Sequence, residues 1–201
     1  MKNIILIFVF MFSFLKSGHA NYKELAYSFK FNSIEGAVLN LNAYKNKVLV
    51  VVNVASRCGY TPQYEGLQKL WNKYQKEGVV VIGVPTNNFK QEPKNNAAIK
   101  EFCETNFGVN FPMTEKMDVI GSNAHPFFKW AKKNYGIGAI PKWNFHKIII
   151  GKDGKVADTF ASFTKPNSKK FNNLTYLLKD KYMNRKDCIL LPFKAFYKAI
   201  K

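Results

Sequence analysis

Cysteine is scarce in this chain. Three thiols among 201 residues, Cys58, Cys103 and Cys188, are too few and too widely spaced for a disulfide-stapled fold or a zinc site. No second cysteine follows Cys58 within a turn; Thr61 stands where a Cys-x-x-Cys pair would close, which counts against a simple dithiol exchanger. Acidic residues are scarce as well. Thirteen of them against 31 Lys and Arg leave a formal net charge of +18, a balance that suits nucleic acid, an anionic membrane surface or an acidic partner. The lysines are scattered rather than gathered into a stripe, so a solvated basic surface is expected, with no nucleic-acid partner and at most transient contact with an anionic membrane. Internal repeats and low-complexity tracts are absent. Hydrophobic content of 47%, with 15% aromatic, excludes a disordered chain and supplies the core of a single domain.

Long apolar runs are confined to two kinds of place. The first is the amino terminus, where Lys2 precedes an almost wholly apolar stretch from Ile4 to Leu15 and Gly18-His19-Ala20 follows. This is too short for a membrane span and has the layout of a secretory signal, so residues 1–20 are expected to be removed on export to a periplasm or secretory compartment. An uncleaved anchor is the alternative. Removal takes Lys2 and Lys16 and no acid, so the chain stays strongly basic. In an oxidising compartment, an odd cysteine count is most simply a functional redox pair plus one spare thiol. Residues 21–183 read as the folded domain. Residues 184–201 read as a basic, amphipathic tail that carries Cys188, expected to be buried.

The second kind is the interior. Val48 to Val54 is a β-branched run that breaks off into Ala55-Ser-Arg-Cys58-Gly, the pattern of a buried central strand ending in a turn. Thr61-Pro62 has the form of a helix entry, with Thr as N-cap and Pro at the first helical position. Tyr64, Leu67, Leu70, Trp71 and Tyr74 then fall on one helical face as far as Gly78, a helix stop, and Val79 to Val84 is the next buried strand. Strand, helix, strand makes a right-handed βαβ unit with parallel strands, whose loops meet at the carboxyl edge of the sheet. Cys58 would thus lie at a helix amino end beside Arg57, two features that favour thiolate, and the loop from Thr86 to Pro93 should face it.

Further along, short alternations from Tyr27 to Tyr44 around Glu35-Gly36 predict an amino-terminal β-hairpin. Helices are expected from about Ala97 to Asn106 and from His125 to near Gly136. Two strands, Phe145 to Ile150 and Lys155 to Phe160, flank the turn Gly151-Lys-Asp-Gly154, and a helix bearing Phe171, Leu174, Leu177 and Leu178 follows Lys165-Pro166. The sum is an α/β fold of thioredoxin-like plan: a central mixed sheet flanked by helices, with the hairpin added in front.

Four segments in this order, Asn53-Val-Ala-Ser-Arg-Cys-Gly-Tyr-Thr61, Gln91-Glu-Pro93, Phe102-Cys103 and Trp143-Asn-Phe145, closely resemble the cysteine-containing glutathione peroxidase family, over roughly Phe29 to Pro166. The resemblance implies a thiol peroxidase with no cofactor, acting on hydrogen peroxide and organic or lipid hydroperoxides. Cys58 matches the family's peroxidatic residue, which becomes a sulfenic acid, and Gln91, Trp143 and Asn144 match the polar residues completing its catalytic tetrad. Cys103 matches the resolving cysteine of members reduced by thioredoxin-type donors, which makes such a donor the expected reductant ahead of glutathione. By the same resemblance, the lack of a long insertion between Trp130 and Trp143 implies a monomer with an open site. One departure concerns the loop usually read Pro-Cys-Asn-Gln-Phe-Gly-x-Gln-Glu-Pro. Here Pro85-Thr-Asn-Asn-Phe-Lys-Gln-Glu-Pro93 is one residue shorter, a change that bears on where Gln91 falls. From other classes, a non-enzymatic redox relay passing its disulfide to a client, a thiol-disulfide exchanger and a basic nucleic-acid module are the competing readings.

Overall fold

The computed structural model describes residues 22–178. The expected leader, the expected tail at residues 184–201 and Cys188 therefore lie outside the described residues.

The central sheet has strand order β4-β3-β5-β6. Strands β3 (Val48–Val54) and β4 (Val79–Pro85) are parallel, joined through helix α1 (Gln63–Tyr74) and a short 3-10 turn, Gln75–Glu77. Gly78 ends that turn at φ 95°, a conformation open to glycine at no steric cost. On the other side of β3, β5 (Lys147–Ile150) runs antiparallel to it, and β6 (Val156–Phe160) antiparallel to β5. The predicted mixed sheet is thus present.

Every residue of β3 is buried because the sheet is covered on both faces. Val48, Val50, Val52 and Val54 pack with Tyr64, Leu67 and Leu70 of α1, with Ile99 and Cys103 of helix α2 (Asn96–Phe107), and with Phe171 of the one-turn helix α4 (Lys169–Asn172). Leu49 and Val51 face the other layer, where Phe127, Trp130 and Ala131 of helix α3 (Pro126–Tyr135) meet Phe29, Phe31 and Leu39. These last three come from the amino-terminal hairpin segment, where β1 (Lys30–Asn32) pairs antiparallel with β2 (Val38–Asn40).

Three local expectations need correction. The strand predicted from Phe145 begins only at Lys147, because Phe145 takes φ 63°, which no strand residue adopts. The last helix is a single α-turn followed by a 3-10 segment, Asn173–Leu178, although Phe171 and Leu177 are buried as expected. Helix α1 begins at Gln63 with Pro62, in helical φ/ψ, at the N-cap position and no side-chain cap; Thr61 does not cap it. Among the described residues no helix is long and apolar enough to cross a membrane.

Candidate active site

Cys58 sits in the turn between the carboxyl end of β3 and α1. The Thr61 hydroxyl, which the Thr-Pro pair suggested for the helix, is used inside this turn instead. It accepts the Cys58 N–H at 3.0 Å and donates to the Ala55 carbonyl at 2.9 Å, while the Thr61 N–H donates to the Cys58 carbonyl at 2.9 Å. Thr61 therefore closes the loop with hydrogen bonds where a second cysteine would close it covalently. Cys58 itself is largely buried, and its Sγ accepts the Tyr60 N–H at 3.4 Å. Arg57 is exposed and forms no ion pair among the described residues.

The loop after β4 faces this turn, as the parallel pairing requires. Arg57 N–H donates to the Gln91 carbonyl at 3.0 Å, and the buried Glu92 carboxylate accepts both the N–H (2.6 Å) and the hydroxyl (2.7 Å) of Ser56 through Oε2. The short loop manages its reversal at Lys90, whose φ of 57° lies in the left-handed region and whose N–H returns to the Asn87 carbonyl. Asn87 Oδ1 then receives the Glu92 N–H. Burial pushes the Glu92 carboxyl pKa up, while the Ser56 hydrogen bonds and the charge of Lys116 pull it back. Sequence reading assigned Glu92 no role; its place inside Gln91-Glu-Pro93 was the available signal.

The third segment precedes β5. Asn144 is fully buried and its Nδ2 donates to Gln91 Oε1 at 2.9 Å, so the shortened loop brings Gln91 against Asn144. Trp143 is 42% exposed and is no core aromatic; its ring lies against Phe89 at a centroid distance of 5.5 Å. The Phe145 ring meets Tyr64 edge-on at 5.3 Å. Residues from three distant segments thus converge at the carboxyl edge of the sheet around one thiol. The arrangement pairs two neutral amides, Gln91 and Asn144, and ties the loop carrying Gln91 to the turn that carries Cys58.

Cys103 shares the hydrophobic core with Cys58, but both are free thiols. It lies on the buried face of α2, where burial pushes its pKa up to about 11; the Tyr64 hydroxyl, which approaches it without a well-formed hydrogen bond, acts in the opposite direction. A thiol so held is a poor nucleophile while the helix is folded.

Beneath the site, Lys147 is buried and among the described residues has no carboxylate partner. Its Nζ donates to Gln63 Oε1 (2.5 Å), to the Thr164 carbonyl (2.7 Å) and to the Ser162 carbonyl (3.5 Å), tying the first residue of α1 to β5 and to the segment after β6. Burial pushes its pKa down to about 7 from 10.5, and burial together with Lys147 pushes that of neighbouring His146 down to about 4. A base with a lowered folded pKa binds fewer protons folded than unfolded between the two values, so stability rises with pH across that window. The urea midpoint is therefore expected to be higher at pH 8 than at pH 7, below the Cys103 window that opens near pH 9, and Lys147→Met should flatten the rise. A wild-type midpoint that is flat or falls between these pH values would contradict this account of Lys147.

A thiol just past the carboxyl end of the central strand of a β4-β3-β5-β6 sheet, with helices on both faces, is the arrangement of a thioredoxin-fold thiol protein. Solved structures of that fold match: Trgpx in its apo form (TM-score 0.63, 34% identity, 80% of this chain and 99% of that one) and T. cruzi GPX1 (TM-score 0.60, 32% identity, 77% and 97%). A thiol:disulfide interchange protein from Chlorobium tepidum, at 14% identity and TM-score 0.57 over 75% of this chain and 93% of that one, shares the fold alone. The family model for glutathione peroxidase matches residues 26–132. Among curated relatives, hydroperoxy fatty acid reductase gpx1 of Synechocystis is 44% identical over 70% of this chain and 89% of its own length. Glutathione peroxidase-like peroxiredoxin 2 of Saccharomyces cerevisiae is 45% identical over 70% and 83%. The chain belongs to the glutathione peroxidase family, in its cysteine form, and is a thiol-dependent peroxidase. Among the described residues no group of three or more His, Cys, Asp or Glu gathers to hold a metal ion.

Proposed function

We propose that Cys58 is the peroxidatic residue. Its sulfur attacks one oxygen of a hydroperoxide, the O–O bond breaks, water or an alcohol leaves, and Cys58 becomes a sulfenic acid. Gln91, Trp143 and Asn144 polarise thiolate and peroxide, and the observation that carries this reading is the Asn144 to Gln91 hydrogen bond beside the Arg57 to Gln91 backbone bond. Cys103 resolves: α2 opens locally, its thiol attacks the Cys58 sulfur, the S–S bond forms, and the hydroxyl leaves as water with the Cys103 proton. The burial of Cys103 is what makes opening necessary, since a disulfide needs Cα atoms within about 7 Å and a usable thiol. A thioredoxin-type dithiol then reduces the disulfide.

Hydrogen peroxide and organic or lipid hydroperoxides are the substrates. Exposed basic residues, Arg57, Lys90 and Lys142, adjoin Cys58, Gln91 and Trp143, which favours anionic hydroperoxides and brief contact with anionic membranes. The relative named as a hydroperoxy fatty acid reductase supports the same preference. The protein works as a monomer, and the apolar leader supports export to a periplasm or secretory compartment. Steady-state peroxide consumption with a thioredoxin system and with a glutathione system tests the donor. Thioredoxin is expected to give kcat/KM at least about tenfold higher, a difference of roughly 1.4 kcal/mol; equal or better turnover with glutathione would overturn the two-cysteine cycle.

A further inference from the structure

Strand β3 pairs with β5 only as far as Val52 opposite Lys147; one residue further on, the ladder stops and the turn bearing Trp143 and Asn144 begins. At that place stands Asn53, 1% exposed, and every polar group it owns is spent on the turn. Its Nδ2 donates to the Trp143 carbonyl at 3.1 Å, and its Oδ1 accepts the His146 N–H at 3.1 Å. Its backbone carbonyl accepts the Phe145 N–H at 2.6 Å, and its N–H donates to the His146 carbonyl at 3.3 Å. The turn needs holding. Phe145 is a bulky residue at φ 63°, a left-handed conformation that persists only where surroundings enforce it. The ring packing of Phe145 on Tyr64 fixes the side chain, and Asn53 fixes the backbone on both sides of it.

We propose that Asn53 is a positioning residue for peroxide reduction: it clamps the strained Trp143–His146 turn so that the Asn144 amide is aimed at Gln91 and the Trp143 indole at the mouth of the site. This rests on the reading of Trp143 and Asn144 as polarising groups. Asn53 touches neither sulfur nor peroxide, and it acts only through the turn. Its influence should therefore fall on the oxidation of Cys58 and not on the later attack by Cys103, which depends on α2.

The test is rapid-kinetic measurement of two rates in the full chain: second-order formation of Cys58 sulfenic acid with hydrogen peroxide, trapped by a dione reagent, and first-order disulfide formation thereafter. Asn53→Ala is expected to slow the first about 10- to 100-fold, the scale of an ångström-sized misplacement in an active site, and to leave the second within about twofold. Asn53→Asp keeps the acceptor for the His146 N–H but loses the donor to the Trp143 carbonyl; it should slow the first rate in the same sense, and it carries the test should the alanine variant not fold. Because Asn53 acts through the turn, its loss should be largely absorbed when Asn144→Ala and Trp143→Phe are already present, giving strong non-additivity. An unchanged oxidation rate in a folded variant, a parallel fall in both rates, or fully additive losses would overturn the proposal. Failure of the underlying reading shows separately, as an unchanged rate of Cys58 oxidation in the Trp143→Phe and Asn144→Ala variants themselves.

Discussion

Replacing Cys58 by serine is expected to reduce peroxide consumption to the uncatalysed background, a loss of at least about a thousandfold. A serine hydroxyl is neither ionised at neutral pH nor able to accept oxygen, so both the attack and the sulfenic acid are lost together. The fold should survive. The turn is closed by Thr61 and by Ser56 on Glu92, and the Cys58 thiol adds an acceptor for the Tyr60 N–H, which serine can supply, and a small share of core packing. A melting temperature close to wild type alongside absent activity is the expected pair of results; retained activity would remove Cys58 from the chemistry.

Replacing Cys103 by serine should separate the half-reactions. One equivalent of peroxide is expected to be consumed at the wild-type rate, because Cys103 lies in α2 and takes no part in the Gln91, Trp143 and Asn144 contacts. Turnover supported by a thioredoxin system should then fall about a hundredfold or more, with Cys58 sulfenic acid accumulating and progressing to sulfinic acid. Serine also puts a hydroxyl into a 1% exposed site, at a cost of about 1–3 kcal/mol, so Cys103→Ala serves as the stability control. Activity with both donors unimpaired would mean that resolution does not pass through Cys103.

The parts of this fold that sequence made legible are those written in local pattern. Val48–Val54 reads as a buried strand because both of its faces are covered, and Gly78 reads as a stop because the chain there needs a positive φ. Helix α2 is found to within a residue of its expected start; its true N-cap is Asn95, whose side chain accepts the Ala98 N–H. Thr61 misled because the rule for a Thr-Pro helix entry is local, whereas its hydroxyl is captured by the Cys58 turn. Phe145 misled because hydrophobic patterning carries no information about the sign of φ.

Cys58, Gln91, Trp143 and Asn144 were legible as motif letters, and the structure joins Asn144 to Gln91 and the Gln91 loop to the Cys58 turn. The residues that hold them were not. Glu92 binds Ser56 from 36 residues away, and Asn53 reaches the Trp143 carbonyl across 90. Lys147 looked like an ordinary strand residue until its amine was found on Gln63, 84 positions earlier. Partners at such separations are set by tertiary packing, and no spacing rule along a single chain announces them.

The most direct test is peptide mapping by mass spectrometry after exposing the reduced wild-type protein to a single equivalent of hydrogen peroxide and quenching the remaining thiols. A disulfide between Cys58 and Cys103, with Cys188 recovered as a free thiol, is the expected result. Cys58 recovered unoxidised, or oxidised with Cys103 still free, would contradict the two-cysteine peroxidase.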